Sequence, residues 1–168
     1  MPQALKPPHR LMIMRIFVDC EFTDFIECEL VSLALVADDG REFYGECSEY
    51  DQASCSEFVR AAVLPQLGQH PERVFTREAL RAALVAWLGQ FEGEPKRLLC
   101  FDYGSDWDLL CDLLDGPPPG WHAVNVSGLL DRRRCEDYYC AHGGRHHALA
   151  DARANRYAMI GTDVAARD

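Results

Sequence analysis

The chain has 168 residues, 48% of them hydrophobic, and sets 27 acidic side chains against 17 Lys and Arg for a formal charge of −10. That length buries one sizeable core, no apolar run is long enough to span a bilayer as a helix, and the acidic balance argues against broad non-specific attraction to a polyanion. A local basic surface and a divalent-cation site are compatible with the acidic balance.

Residues 1–13, opening MPQALKPPHR, hold adjacent prolines and little periodicity, and they lack the long apolar region of a signal peptide. They read as a disordered extension, with Met14 as a second candidate start that the intact mass of the native product would test. RIFVDCEF (15–22) is β-branched and aromatic around two acids, the pattern of a buried strand. ELVSLALVADDGREFYGECSEY gives two more strands around Asp39-Gly40, where glycine can take the positive φ of a tight hairpin. Ser54 and Glu57 have capping-box spacing ahead of a helix through FVRAAVLPQL, closed by Pro65 and Gly68. TREALRAALVAWLGQF (76–91) is apolar at 80, 83, 84, 87, 88 and 91, a helical stripe. RLLCFDY (97–103) is a short strand, WDLLCDLL (107–114) a helix, GPPP (116–119) a break and HAVNVSGL (122–129) a last strand. From about Leu129 the chain holds one helix near the arginine run and another from about His147 to Met159, and 161–168 form a tail. A three-strand antiparallel meander followed by helices and two further strands predicts one α/β domain over 14–160, a mixed sheet flanked by helices.

Eight cysteines are present, several inside apolar runs such as RLLCF, with no secretory signal. Reduced thiols packed as small hydrophobes, in a cytoplasmic protein, are the expectation.

Three groups of residues carry chemistry. Asp19 and Glu21, two apart on a strand, project from one face with Cα atoms roughly 6.6 Å apart. Such a like-charge pair is either a solvated strand end or a site for divalent metal, because burying unpaired carboxylates is costly. Asp102, Asp106 and Asp108 fall where a strand hands over to a helix, which suits either a ligand site at a sheet edge or acids favoured by the helix dipole. In HHALADA (146–152), His147 and Asp151 are four apart and would share a helix face as an ordinary exposed pair. His146, five from Asp151, can meet it only from the loop ahead of the helix. It offers an imidazole, a side-chain type suited to proton transfer near neutral pH.

Taken together, D-x-E on the first strand, a central aspartate ahead of a two-leucine helix, and H-x4-D opening the last helix resemble the DEDDh 3′-5′ exonucleases. These include oligoribonuclease, RNase T and polymerase proofreading subunits, all with a ribonuclease H-like fold. The resemblance covers about residues 14–160. ELVSLALVADDGREFYG and DWDLLCDLL are most similar to the compact stand-alone bacterial 3′-5′ exoribonucleases first known from actinobacteria. It implies Asp19, Glu21, Asp106 and Asp151 as ligands of two Mg2+ or Mn2+ ions and His146 as general base. Asp106 is preferred because Leu109 and Leu110 follow it as the family's apolar pair does. Phe22 stands where many relatives carry threonine, which puts that contact with the terminal nucleotide in doubt.

The implied reaction releases 5′-mononucleotides from single-stranded RNA, and a homodimer is compatible with the oligoribonuclease relatives. Phe22 and Trp107 are candidate stacking faces for a base, and Arg145, near the run Arg132–Arg134, is a candidate phosphate contact. Two other readings are a DEDDh enzyme directed at DNA or dinucleotides, and a non-catalytic zinc-stabilised interaction module using Cys135, Cys140, His142 and His146. The spacing of the last set, C-x4-C-x-H-x3-H, is unusual for zinc.

Overall fold

Strand β1 (Ile13–Phe22) runs through the middle of the sheet, with its apolar centre Ile16–Val18 buried on both faces. It pairs antiparallel with β2 (Leu30–Ala37) and parallel with β5 (Lys96–Phe101). Every residue of β2 is buried, so that strand reads as an apolar run interrupted only by Ser32, as strands covered on both faces do. A turn with Gly40 at φ +92° returns the chain antiparallel as β3 (Glu42–Cys47). β6 (His122–Asn125) lies parallel beside β5, and the two-residue β4 (Val74–Phe75) pairs with the end of β3. The order β4-β3-β2-β1-β5-β6 holds the expected meander and two further strands, with β4 as an unforeseen edge. In this computed structural model the described residues are 13–159. The extension ahead of Ile13 and the tail 161–168 lie outside them, and Ile13 itself opens β1.

Helices cover both faces. α1 (Arg77–Gly89), capped by Thr76 whose Oγ1 accepts from the Ala79 amide, and α2 (Gly104–Leu114) pack Leu80, Leu84, Leu110 and Leu113 against Ile16, Val18, Leu33 and Leu35. Each such leucine contributes about 1.5–3 kcal/mol of burial. α2 starts three residues earlier than its apolar pattern indicated, and the early start brings Asp106 into its first turn. On the opposite face lies α4 (Ala148–Ala158), with α3 (Arg132–His142) beside it. Ala148 and Ala152 meet Ala34, Val36 and Tyr44, and these small side chains let α4 sit close on the strands.

The segment expected as a helix through FVRAAVLPQL is irregular. It passes from an α-turn into a π-turn at Val59–Val63 and a 3-10 turn at Leu64–Gln66. Pro65 has no N–H for an i−4 carbonyl, so a regular helix cannot continue through it. Its cap is Ser56, whose Oγ accepts from the Val59 amide at 3.2 Å; Ser54 instead donates to Asp51. Among the described residues no helix is long and apolar enough to cross a membrane.

Candidate active site

Because β1 and β5 run parallel, their carboxyl ends meet at one sheet edge, the usual ligand position in open α/β sheets. Asp19 and Glu21 reach this edge from the face that α4 covers. Their carboxylate oxygens lie within 4.8 Å of each other and of Asp151, in the first turn of α4. A second group of the same spacing joins Asp19 to Asp102 and Asp106.

Asp106 is 2% exposed, and its Oδ1 accepts from the Cys20 amide at 3.1 Å while Oδ2 accepts from the Tyr103 amide at 3.3 Å. That carboxylate therefore fixes the first turn of α2 to the end of β1. Asp102, just past β5, accepts from Asn155 Nδ2 at 2.8 Å and ties the strand to α4. Asp108 is exposed and joins neither group. The three central aspartates thus separate: Asp106 and Asp102 belong to the cluster and Asp108 does not.

The two histidines separate as well. Asp151 accepts from the Tyr139 hydroxyl at 2.7 Å and from the His146 amide at 3.1 Å, which folds the loop before α4 over its first turn. His146 has φ +65°, a left-handed conformation rare for a side chain of this size, and its imidazole meets the Phe58 ring edge-on at 4.8 Å. His147 turns away and stacks on Tyr44 at 4.7 Å, where burial lowers its pKa.

The acids and His146 line one cleft of about 630 Å³. Two aromatic groups border it. Phe22 stacks on Tyr103 at 6.5 Å with Phe25 edge-on to both, and Phe58 stands beside His146. Phe25 is 73% and Phe58 55% exposed, so both leave large aromatic faces open beside the acid cluster. Of the expected substrate contacts, Phe22 lines the cleft. Trp107 does not: one position past Asp106 it turns away, stacks on Phe101 at 5.8 Å and packs on the core. Arg145 is also outside, bonded to Glu136 and laid over the Tyr139 ring at 4.4 Å. Tyr103, Phe25 and Phe58 escaped the sequence reading because each is a single aromatic at the end of an element or in a loop, where no periodicity shows which way it faces. The threonine absent at position 22 has a neighbour at 23, but Thr23 is buried and its hydroxyl bonds Glu27 and Glu29 within the loop.

Among the described residues none of the five acids has a Lys or Arg partner within 4 Å. Burial, then the charges of Asp106, Asp151, Glu21 and Asp102, hold the Asp19 carboxyl well above the ordinary range. Burial first, then Asp151 and Asp106, pushes Glu21 up to about 8, and burial with Asp102 pushes Asp106 up to about 8. An all-oxygen set of crowded, uncompensated carboxylates is the donor chemistry of a hard divalent cation, so the residues fit such an ion.

The same shifts predict the pH dependence of metal-free stability. Glu21 and Asp106 keep protons in the fold that the unfolded chain releases near pH 4. Between there and about pH 8 the unfolded state binds fewer protons, so stability falls as pH rises, at up to about 1.4 kcal/mol per pH unit for each group. Unfolding in urea with EDTA at pH 5.5 and 7.5 tests this, and a metal-free protein more stable at pH 7.5 would contradict it.

Zinc chemistry finds no such arrangement. Among the described residues the only convergent groups of three or more His, Cys, Asp or Glu are the two acid triplets. Cys135, Cys140, His142 and His146 do not come together, and His142 packs on Tyr138 instead. The zinc-module reading is therefore set aside.

An α/β domain with this acid cluster at the ends of β1 and β5, and a histidine folded over the last helix, has the form of a DEDDh-type 3′-5′ exonuclease. Its fold is that of E. coli exonuclease I in complex with a dA16 oligonucleotide, with TM-score 0.57 and 14% identity over 86% of this chain and 39% of that one. Cell-death related nuclease 4 matches with TM-score 0.52 and 15% identity over 85% of this chain and 61% of its own. The chain thus spans about two fifths and three fifths of those neighbours. No family model matches the chain. The 3′-5′ exoribonuclease of Mycobacterium tuberculosis, in strains H37Rv and CDC 1551, is 32% identical over 165 residues, covering 92% of this chain and 98% of its own. The chain belongs to the family of that exoribonuclease, and it is a 3′-5′ exonuclease.

Proposed function

We propose that the protein shortens single-stranded RNA from its 3′ end by hydrolysis, releasing 5′-mononucleotides with the aid of two Mg2+ or Mn2+ ions. The observation that carries this reading is the meeting of Asp19, Glu21, Asp106 and Asp151 with His146 in one cleft. The choice of RNA rests on the name of the relative that the chain matches along nearly its whole length.

Asp19, Glu21, Asp106 and Asp151 would hold the ions, with Asp19 shared because it belongs to both groups. Asp102 adds a fifth carboxylate. Bound ions of this kind lower the pKa of the attacking water and offset the charge that builds on the phosphate and the departing 3′-oxygen. His146 accepts the proton of the attacking water, from a loop fixed to Asp151. Phe22, Phe25, Tyr103 and Phe58 provide faces on which terminal bases stack, each worth about 1–3 kcal/mol. Stacking needs unpaired bases, so the aromatic border favours single strands.

The test is a 5′-labelled single-stranded RNA beside its DNA counterpart, each with Mn2+, Mg2+ or EDTA. A ladder descending from the 3′ end of RNA, dependent on metal and faster than on DNA, is expected. Faster shortening of DNA would overturn the RNA assignment, and an intact strand in every metal would overturn the activity on long strands and turn attention to dinucleotides.

A further inference from the structure

The loop that carries His146 is held both from the acid cluster and from outside it. It contains three residues with positive φ, Gly143 at +67°, Gly144 at +78° and His146 at +65°. Glycine adopts that conformation without cost, and histidine does not. A conformation of this kind persists only where its surroundings fix it. One fixture is Asp151, through the His146 amide. The other is Gln66, whose Nε2 lies 2.9 Å from the carbonyl oxygen of Arg145, 3.0 Å from that of His146 and 2.8 Å from that of Ala62 in its own segment, so its two N–H groups serve three acceptors with one of them shared. All three partners are carbonyls, so only the amide nitrogen, and not the oxygen, suits that position.

The irregular winding of residues 57–66 explains why Gln66 can reach across. The π-turn at Val59–Val63 and the 3-10 turn at Leu64–Gln66 break the α-helical path, and such interruptions often serve functional sites. Phe58, at the start of the same segment, meets the His146 ring edge-on, so one element touches both the backbone and the imidazole of the same residue.

We infer that Gln66 is a positioning residue for the reaction: its side-chain amide, braced on the segment 57–66, holds the backbone of His146 so that the imidazole faces the cleft. This inference rests on His146 as the base of the proposed hydrolysis. Displacing a catalytic group by about 1 Å can cost about 100-fold in rate, so the effect belongs in kcat, with KM and metal affinity left alone.

Gln66→Met keeps the length and removes the donor, and Gln66→Glu keeps the shape but presents oxygen to the carbonyls. Both are expected to lower kcat by about 10- to 100-fold with KM, the melting temperature and the Mn2+ dissociation constant close to wild type. Amide exchange over 143–147 is expected to quicken. The deciding measurement is the double-mutant cycle with His146→Ala: in that background Gln66→Met should change kcat by less than about twofold, because nothing is left to position. An equal loss in both backgrounds would overturn the inference while leaving His146 as base, and so would a Gln66→Met protein of wild-type kcat. A fully active His146→Ala protein would instead overturn the base assignment and the inference with it. If Gln66→Met does not fold, the Gln66→Glu cycle reads the same outcomes.

Discussion

Asp19→Asn is expected to lower kcat by about 10³-fold or more, roughly 4 kcal/mol of barrier, and to raise the melting temperature of the metal-free protein. Both effects come from one position. Asp19 belongs to both acid groups, so a neutral amide there weakens the hold on every ion the cleft takes. In the absence of metal the same carboxyl is crowded by Asp106, Asp151, Glu21 and Asp102 and deprived of water, and an amide of nearly equal size relieves that conflict. A gain of about 1–2 kcal/mol, or some 2–8 °C for a domain of this size, fits the general pattern in which functional acids cost stability. Saturating Mn2+ should reverse the order: a ligand at 100 times its dissociation constant stabilises by about 2.7 kcal/mol, and the wild type gains it in full. Calorimetry with EDTA and with Mn2+, beside the RNA assay, reads all of this. Substantial turnover by Asp19→Asn would remove Asp19 from the metal site, and a lower metal-free melting temperature would show that the carboxylate stabilises the fold.

Most of the fold was legible in the sequence because its elements have strong periods. The stripe at 80, 84, 87 and 88 and the apolar run of β2 leave little room for another reading. What escaped is non-periodic. β4 has two residues, too few for alternation to register, and the cap at Ser56 competes locally with an equally suitable Ser54. At the site, helix geometry left His147 as an ordinary partner of Asp151 and His146 as a loop residue, and it was the resemblance, through H-x4-D, that singled out His146. Spacing could not distinguish Trp107 from Tyr103 as an aromatic facing the cleft. That outcome depends on α2 beginning at Gly104, which turns Trp107 toward Phe101, and no apolar pattern marks the start. Asp102 was weighed and passed over, and only the approach of β5 to α4 through Asn155 brings it into the cluster. The tie from Gln66 to residues 145 and 146, 79 and 80 positions away, has no local signature at all.

His146→Ala and His146→Gly are expected to share one loss and differ in stability, and the pair separates the chemistry of this residue from its backbone. Either change removes the imidazole and should lower kcat by about 10²–10⁴-fold, the usual contribution of a positioned base. The acids stay in place, so Mn2+ affinity should hold. Their folding stabilities should diverge because position 146 has φ +65°. Alanine keeps a Cβ in the left-handed region, at about 1–2 kcal/mol, whereas glycine adopts it freely and loses part of that gain to the greater entropy of its unfolded chain. The glycine variant should therefore melt higher than the alanine variant while being as inactive. Added imidazole should restore part of the activity of His146→Gly, where removal of the side chain leaves room beside Phe58. Wild-type kcat in either variant would dismiss His146 as base. Equal loss without any rescue, combined with weakened Mn2+ binding, would point instead to the loop as a support for Asp151, which accepts the His146 amide whatever side chain that residue carries.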